Sequence, residues 1–596
     1  MNFNKLLTKS QSQYIKDILS TKNINFVKNK FVSAAINAFP DINTSTTNHE
    51  HINIHTLPSI IKYNFYEDEK RDLGITFTPV NLVNFMYSSV LEKDISDILK
   101  LSIADLSIGN GVFFSELLIC IKENNPDFKL IPFIENHLFG YDVMPQNVLL
   151  AQLILSIICV YYGEDVEEID FNIVEADTIQ LYLQKGIAQK FDIIVGNPPY
   201  VKQQNINKDY RKILKDNFIT IDSNYNLYYA FIEIAMNMLS DSGEILYLVP
   251  NYLLKIKSAT KLRAYLLNQG VFKRIVDFKS MPLFSNVGTY SMVLNLEKNS
   301  YHTKYKVPEN NNTTMKDLQS QCWSVTTINN PETINLTSEK EKKIIDSVEG
   351  QFYELDISTG IATQKDSLYL IDDYKLIEGK YTFIKKFNNK VYNIEPSVVM
   401  KIIKGSGSSK KNEIKEQFII YPYKNDGNTT SLININTLEK NYPNLYQYFM
   451  DTKTELKSRS GIDNTDDKEW YRYGRSQALT RTMPKIVFPT NTKYPQFQYF
   501  DDFALFYNGY AIYGIKNLSC SAKDMKCLEL ILNSSLIDKF MKLTSYYIGG
   551  GYVSYQKKYL SKVTIPFMNE KQKDALLTSK STKEINKLVY QLYGLK

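Results

Sequence analysis

The chain has 596 residues, more than one hydrophobic core usually spans, so two or three domains are expected. Its formal charge of +6 is modest for that length; it permits a nucleic-acid partner without arguing for one. Cys120, Cys159, Cys322, Cys520 and Cys527 show no CxxC pairing, and no apolar run approaches the length of a membrane span, so buried thiols in a cytoplasmic protein with no membrane partner are expected.

Residues 1–65 read as an N-terminal helical arm, with helix-like periodicity over 5–20 and 24–39 and a polar stretch over 40–55. His49, His51 and His55 lie there without a second ligand cluster, so the spacing predicts a solvated loop and no metal site. Pro40-Asp41 and Asp68-Glu69-Lys70 match the Pro-Asp … Asp/Glu-x-Lys pattern of restriction nucleases. Asp41 lies in a stretch of low hydrophobicity with no strand to hold it beside Asp68, which disfavours a fused nuclease.

From Gly74 the pattern alternates strand and helix. Strands are predicted at 102–106, 138–142, 172–175, 191–195 and 244–249, and near 274–278 and 290–296. Helices are predicted at 112–122, 147–162, 227–239 and 258–269, and 202–217 reads as a polar, charged loop. This alternation implies an α/β fold with a doubly wound, mostly parallel sheet over 66–300. Residues 301–350 are polar and read as a linker. Residues 351–596 have short strand-like runs with aromatics, Gly and Pro breaks and a few helices, among them 443–457 and 523–542, and read as a separate α+β domain.

The chemistry of the first domain gathers at strand ends. Asp105-Leu106-Ser107-Ile108-Gly109-Asn110-Gly111 is a Gly turn opening a helix, which lets a ligand approach the backbone closely. It lacks the third Gly of a dinucleotide fingerprint. Asp142 ends the second strand, where a carboxylate can accept two ribose hydroxyls. Asp177 follows the third, placed to accept an adenine amino group. Asn197-Pro198-Pro199-Tyr200 follows the fourth. Its two prolines fix an extended exit that presents an amide, a carbonyl and an aromatic ring.

These residues, with Gly74-Ile75-Thr76-Phe77-Thr78-Pro79 upstream, resemble the motifs of S-adenosylmethionine-dependent DNA adenine-N6 methyltransferases of the Taq type. In that class I, Rossmann-like fold the cofactor half comes first and target recognition is C-terminal. The resemblance implies S-adenosylmethionine as cofactor. Thr78, Asp105, Ser107, Gly109 and Gly111 would hold its methionine end. Asp142 and Val143 would hold the ribose and flank the adenine, Asp177 and Thr178 would contact the adenine, and Asn197 and Pro199 would lie where cofactor and target meet. The Asn197 side-chain oxygen and the Pro198 carbonyl would each accept one N6 hydrogen of a flipped-out adenine. Tyr200 would stack on that base. Met281–Gly288 resembles the family's second aromatic motif, so Phe284 would supply the second stacking face; an ordinary core Phe at a strand start is the alternative. No Cys follows a Pro, which disfavours cytosine-C5 chemistry.

Residues 375–415 contain ten Lys and three Glu, a local excess of +7 that suits phosphate contact or simply a solvated face. Trp470–Gln477 and Gly549–Lys558 combine cationic, amide and aromatic groups of the kind that read base edges. Both, like Gly360–Thr363, loosely resemble specificity domains of these enzymes. Lys404, Arg472, Arg475, Gln477, Tyr552 and Lys557 are the DNA-binding candidates, each open between base contact, phosphate contact and a structural role. The function expected is site-specific methylation of adenine in duplex DNA, solitary or beside a separate restriction endonuclease, by a cytoplasmic, nucleoid-associated monomer. An RNA or protein-glutamine methyltransferase and a non-catalytic DNA-binding protein are the alternatives.

Overall fold

A computed structural model describes residues 3–39, 52–63, 76–91, 93–185, 189–281, 283–284, 290–300, 302–308, 312–350, 352–371, 373–385, 389–404, 417–426, 429–459, 468–475 and 478–595. Pro40-Asp41, Asp68-Glu69-Lys70, His49, His51 and Gln477 lie outside these residues. The chain divides into two compact units, 1–336 and 337–596.

Unit 1 is built on a nine-stranded sheet in the order β3-β2-β1-β4-β5-β7-β6-β8-β9. The strands are β1 (Ile103–Asp105), β2 (Leu138–Asp142), β3 (Asn172–Glu175), β4 (Phe191–Gly196), β5 (Leu239–Pro250), β6 (Phe272–Asp277), β7 (Ser291–Glu297), β8 (Thr303–Lys306) and β9 (Ser324–Thr326). The run from β3 to β5 is parallel throughout, and β7 lies antiparallel to both β5 and β6. β1 and β4 are short apolar strands buried on both faces, as a parallel sheet covered by helices requires. Alternate residues feed two cores. Ile103, Ile193, Leu246 and Val293 face one cluster, and Ala104, Ile194, Ile245 and Leu294 face the other. The predicted doubly wound, mostly parallel sheet is therefore the fold of this unit.

Two sequence expectations are corrected here. The N-terminal helices Lys9–Ser20 and Lys30–Ile36 pack on the long apolar helix Pro145–Tyr161 and share its core, so 1–65 is part of unit 1. The expected linker 301–350 instead supplies β8 and β9. Arg263, fully buried, donates to the carbonyls of Pro331 (2.5 Å) and Glu332 (2.8 Å) and so fastens that stretch to the unit. Polar composition concealed the second, because backbone pairing and one buried guanidinium supply that attachment.

The loop expected at 202–217 contains a helix, Lys208–Asn217. Asn207 caps it by accepting from the Tyr210 N–H at 2.8 Å, and Leu214 buries one face. Unit 2 is strand-rich, with sheets of two to five strands and helices such as Pro443–Asp451, Ala522–Leu532 and Ser535–Thr544. The helix expected over 523–542 is split because Asn533 ends one helix and Ser534 caps the next. Cys159 and Cys527 are buried, whereas Cys322 is exposed. Among the described residues no helix is long and apolar enough to cross a membrane, and no group of three or more His, Cys, Asp or Glu could hold a metal ion.

Candidate active site

A cleft of about 320 Å³ opens where β1 to β4 end, the edge at which open α/β sheets hold ligands. Ser107 and Gly109 line it after β1, Asp142, Val143 and Met144 at the end of β2, Asp177 and Thr178 after β3, and Asn197 and Pro199 after β4. Thr76 and Phe77 close one side. Ile206, Asn207, Tyr210, Leu227 and Phe231 form a second, partly apolar wall.

Gly109 (φ 56°) and Gly111 (φ 81°) take the left-handed backbone that turns β1 into the helix Val112–Asn124. Asp142 fixes this turn. One of its oxygens accepts the Gly109 N–H at 2.9 Å, and the other accepts from Met144 N (2.9 Å) and Asn147 Nδ2 (3.1 Å). Asp105 is buried and accepts the Ser107 N–H at 3.0 Å. Burial drives its carboxyl up to about 8; the Ser107 N–H opposes the shift and nearby Asp142 adds to it. Gly196 leaves room for that carboxyl, since a Cβ there would fall 2.7 Å from Asp105 Oδ1.

Asn197 is held by one end. Its Nδ2 donates to Thr78 Oγ1 at 3.1 Å and to the Thr76 carbonyl at 3.3 Å. A carbonyl only accepts, so the amide nitrogen must face Thr76 and the oxygen must face away. That oxygen, Oδ1, is buried and has no hydrogen-bond partner. Asn147 Oδ1 is a second buried acceptor without a partner, on another cleft residue. Two unpaired acceptors beside a Gly turn and buried carboxyls suit a ligand that brings hydroxyl, amino and ammonium donors.

Not every expected residue lines the cleft. Thr78 and Asp105 sit behind it, Thr78 as the acceptor that orients Asn197. Gly111 also sits behind, where a Cβ would meet that of Ala151 at 3.1 Å. Thr178 donates to the Leu106 carbonyl at 2.7 Å and ties two of the strand ends together. Tyr200 donates to the Leu248 carbonyl at 2.9 Å, and its ring meets that of Tyr228 edge-on at 5.9 Å. Phe284 packs against the core cluster on the other face of the sheet and does not line the cleft. Asn147 and Tyr210 were missed by sequence reasoning. Asn147 had no signal beyond a polar residue in a helix's first turn. The spacing of Asn207, Tyr210 and Leu214, a cap followed by one apolar face, could have revealed the second.

In unit 2, Lys404, Arg475, Tyr552 and Lys557 are exposed. The Lys493 ammonium lies 5.3 Å from the Tyr552 ring centre. Arg472 is half-buried beside the Glu469 carboxylate (3.8 Å) on a polar cavity of about 480 Å³. The neighbouring aromatics are core residues. Trp470, Tyr471, Tyr473 and Tyr555 are fully buried, and the Tyr471 and Tyr473 hydroxyls bond the carbonyls of Ile433 (2.6 Å) and Ile420 (2.5 Å). The aromatics of these clusters other than the exposed Tyr552 therefore serve packing. Lys385 is buried on the carbonyls of Ser367 and Leu370, Lys390 pairs with Asp451 and Lys401 with Asp502, so part of the +7 excess is internally engaged.

Residues 136–284 match the family described as Eco57I restriction-modification methylase. Over 441 residues the chain is 25% identical to the Type II restriction enzyme and methyltransferase RM.Eco57I of Escherichia coli, a match covering 67% of this chain but 43% of that protein. It is 22% identical to the Type II methyltransferase M.BstVI of Geobacillus stearothermophilus, over 88% of this chain and 96% of that one. Its fold is similar to that of the Type IIL restriction-modification enzyme MmeI, solved in complex with DNA, with a TM-score of 0.58 at 14% identity over 91% of this chain and 79% of that one. The matched segment carries Asp142, Asp177 and Asn197-Pro198-Pro199-Tyr200, and the chain thus contains an Eco57I-type restriction-modification methylase domain.

Proposed function

We propose that the chain is a site-specific DNA methyltransferase that takes its methyl group from S-adenosylmethionine and places it on adenine N6. The observation that carries this reading is Asn197, with its amide nitrogen held by Thr76 and Thr78 and its Oδ1 buried and unpartnered at the cleft. The relatives' names support DNA as the substrate.

Bound S-adenosylmethionine supplies a sulfonium methyl, an electrophile that needs no metal. The chain's own residues act on the other reactant. The lone pair of adenine N6 is delocalised into the ring and is a poor nucleophile. Asn197 Oδ1 and the Pro198 carbonyl each accept one N6 hydrogen, which localises the lone pair on nitrogen and aims it into the cleft. Because Oδ1 has no partner to give up, the acceptor is in place before the target arrives. Once N6 carries the methyl group it would hold one hydrogen too many, and the proton held at Asn197 Oδ1 or at the Pro198 carbonyl would pass to solvent. Tyr200, fixed by its hydroxyl and by Tyr228, offers a ring face to the flipped base. Asp105 behind the Gly turn suits the cofactor's ammonium, and the Asn147 oxygen and Asp142 suit its ribose.

The match to M.BstVI, over 96% of that protein, supports a methyltransferase; action as a monomer on DNA, beside a separate endonuclease, is part of the proposal. The test is transfer of a labelled methyl group to duplex DNA, RNA and protein offered in parallel. Label in DNA alone is expected; label only in RNA or protein, or none anywhere, contradicts the proposal.

A further inference from the structure

We propose that the Tyr210 hydroxyl, not the Asp177 carboxylate alone, accepts the amino hydrogens of the cofactor's adenine and makes the cleft selective for an amino-purine over a keto-purine. This rests on reading the cleft as the S-adenosylmethionine site. Asp177 is heavily occupied. Its Oδ1 accepts the N–H groups of Ile179 (3.0 Å) and Gln180 (3.2 Å), which caps the helix Thr178–Lys185. Tyr210 donates to both carboxylate oxygens, at 2.9 and 2.8 Å. Oδ1 thus takes two backbone donors and a share of the phenol hydrogen and keeps little further capacity, whereas Oδ2 takes only the other share.

A phenol has one hydrogen, and here it is committed to Asp177. Toward the cleft, which both residues line, the Tyr210 oxygen presents only lone pairs. Burial and the adjacent carboxylate both push the phenol well above its ordinary pKa, so the hydrogen stays in place. The ring cannot drift, because Asn207 caps its helix at the Tyr210 N–H and Leu214, one turn on, is fully buried. An exocyclic amino group donates to such an oxygen. A carbonyl at the same purine position would face lone pair against lone pair, with no donor to relieve it. Phe231 and Ile206 add apolar wall beside this polar pair.

The test is binding of S-adenosylhomocysteine and of its keto analogue S-inosylhomocysteine to the full chain, measured by calorimetry. The wild type is expected to prefer the adenosyl compound by at least about tenfold. Tyr210→Phe removes only the hydroxyl. It should weaken the adenosyl compound about five- to tenfold, the size of one hydrogen bond, and leave the inosyl compound no weaker, since the opposing lone pairs of the phenol are gone. Asp177→Asn should also erode the preference, since its amide can donate to the phenol oxygen and turn the hydroxyl toward the cleft. Equal binding of the adenosyl compound by Tyr210→Phe and wild type would overturn the inference, as would equal weakening of both ligands. A wild type that binds neither compound would remove the cofactor reading beneath it, a separate result.

Discussion

At the scale of single residues, two buried groups are held at an energetic cost, the Asn197 oxygen on the cleft and the Asp105 carboxyl behind it. An amide oxygen without a partner costs about 1–3 kcal/mol. Asn197 retains it because Thr76 and Thr78 fix the other end of the side chain. Asp105 is the second, with its carboxyl raised to about 8 by burial. In an unfolded chain the same group titrates near 4. Between those values the folded chain holds a proton that the unfolded chain has lost. Stability from this group is therefore full below about pH 4 and falls by about 1.4 kcal/mol per unit until about pH 8. Asp105→Asn lacks this dependence. In urea melts of the ligand-free protein, the variant should gain on the wild type from pH 5 to pH 8; a difference that stays flat with pH contradicts the burial argument. Both groups were legible in the sequence as positions. Their states were not, because a lone acceptor or a raised carboxyl is set by residues 76, 78 and 196, distant in the chain.

At the scale of elements, the Gly turn is braced from the N-terminal side. Asn110 is buried and donates to the carbonyls of Pro58 (2.6 Å) and Ile61 (3.0 Å). Gln11 donates to the carbonyls of Ile60 (2.8 Å) and Lys62 (3.0 Å), so the helix Lys9–Ser20 holds the brace in turn. His55 reaches the helix that follows the turn, with Nδ1 2.9 Å from Glu116 and Nε2 3.1 Å from Glu123. The Glu116 bond, aided by Glu123, raises the imidazole to about 9 against desolvation, so the imidazole is charged at neutral pH. Its contribution is complete below the unfolded value of about 6.5 and is lost as pH rises through about 9. The Glu116 side chain is fully buried, and removing the imidazole takes the hydrogen-bond partner from its Oε2. His55→Ala should therefore cost about 2–3 kcal/mol at pH 7, less at pH 10, by chemical denaturation. An effect below 0.5 kcal/mol, as at an ordinary surface site, would refute the brace. The sequence placed His55 in a solvated loop. Most of the brace is made to backbone carbonyls, which carry no residue-type signal, so composition could not show it.

At the scale of the molecule, alternation of strand and helix with Gly and Pro punctuation made the catalytic sheet readable almost strand by strand. β1, β2 and β4 are local runs of apolar residues ending in turns, and their order follows from the short right-handed connections that parallel sheets use. The unit boundary was less readable, because polar residues after 300 still pair as β8 and β9. The C-terminal unit was least readable. Its aromatics are spread among short strands, and only three-dimensional packing separates a buried Trp470 from an exposed Tyr552.

One measurement addresses the role of the Asn197 oxygen directly. Duplex DNA is incubated with S-adenosylmethionine and either wild type or Asn197→Ala, then digested to nucleosides and resolved by mass spectrometry. The predicted result is N6-methyldeoxyadenosine from the wild type and at least about a hundredfold less from the variant, with binding of S-adenosylhomocysteine largely kept. Methylation of another base, or comparable N6-methyldeoxyadenosine from Asn197→Ala, would contradict it.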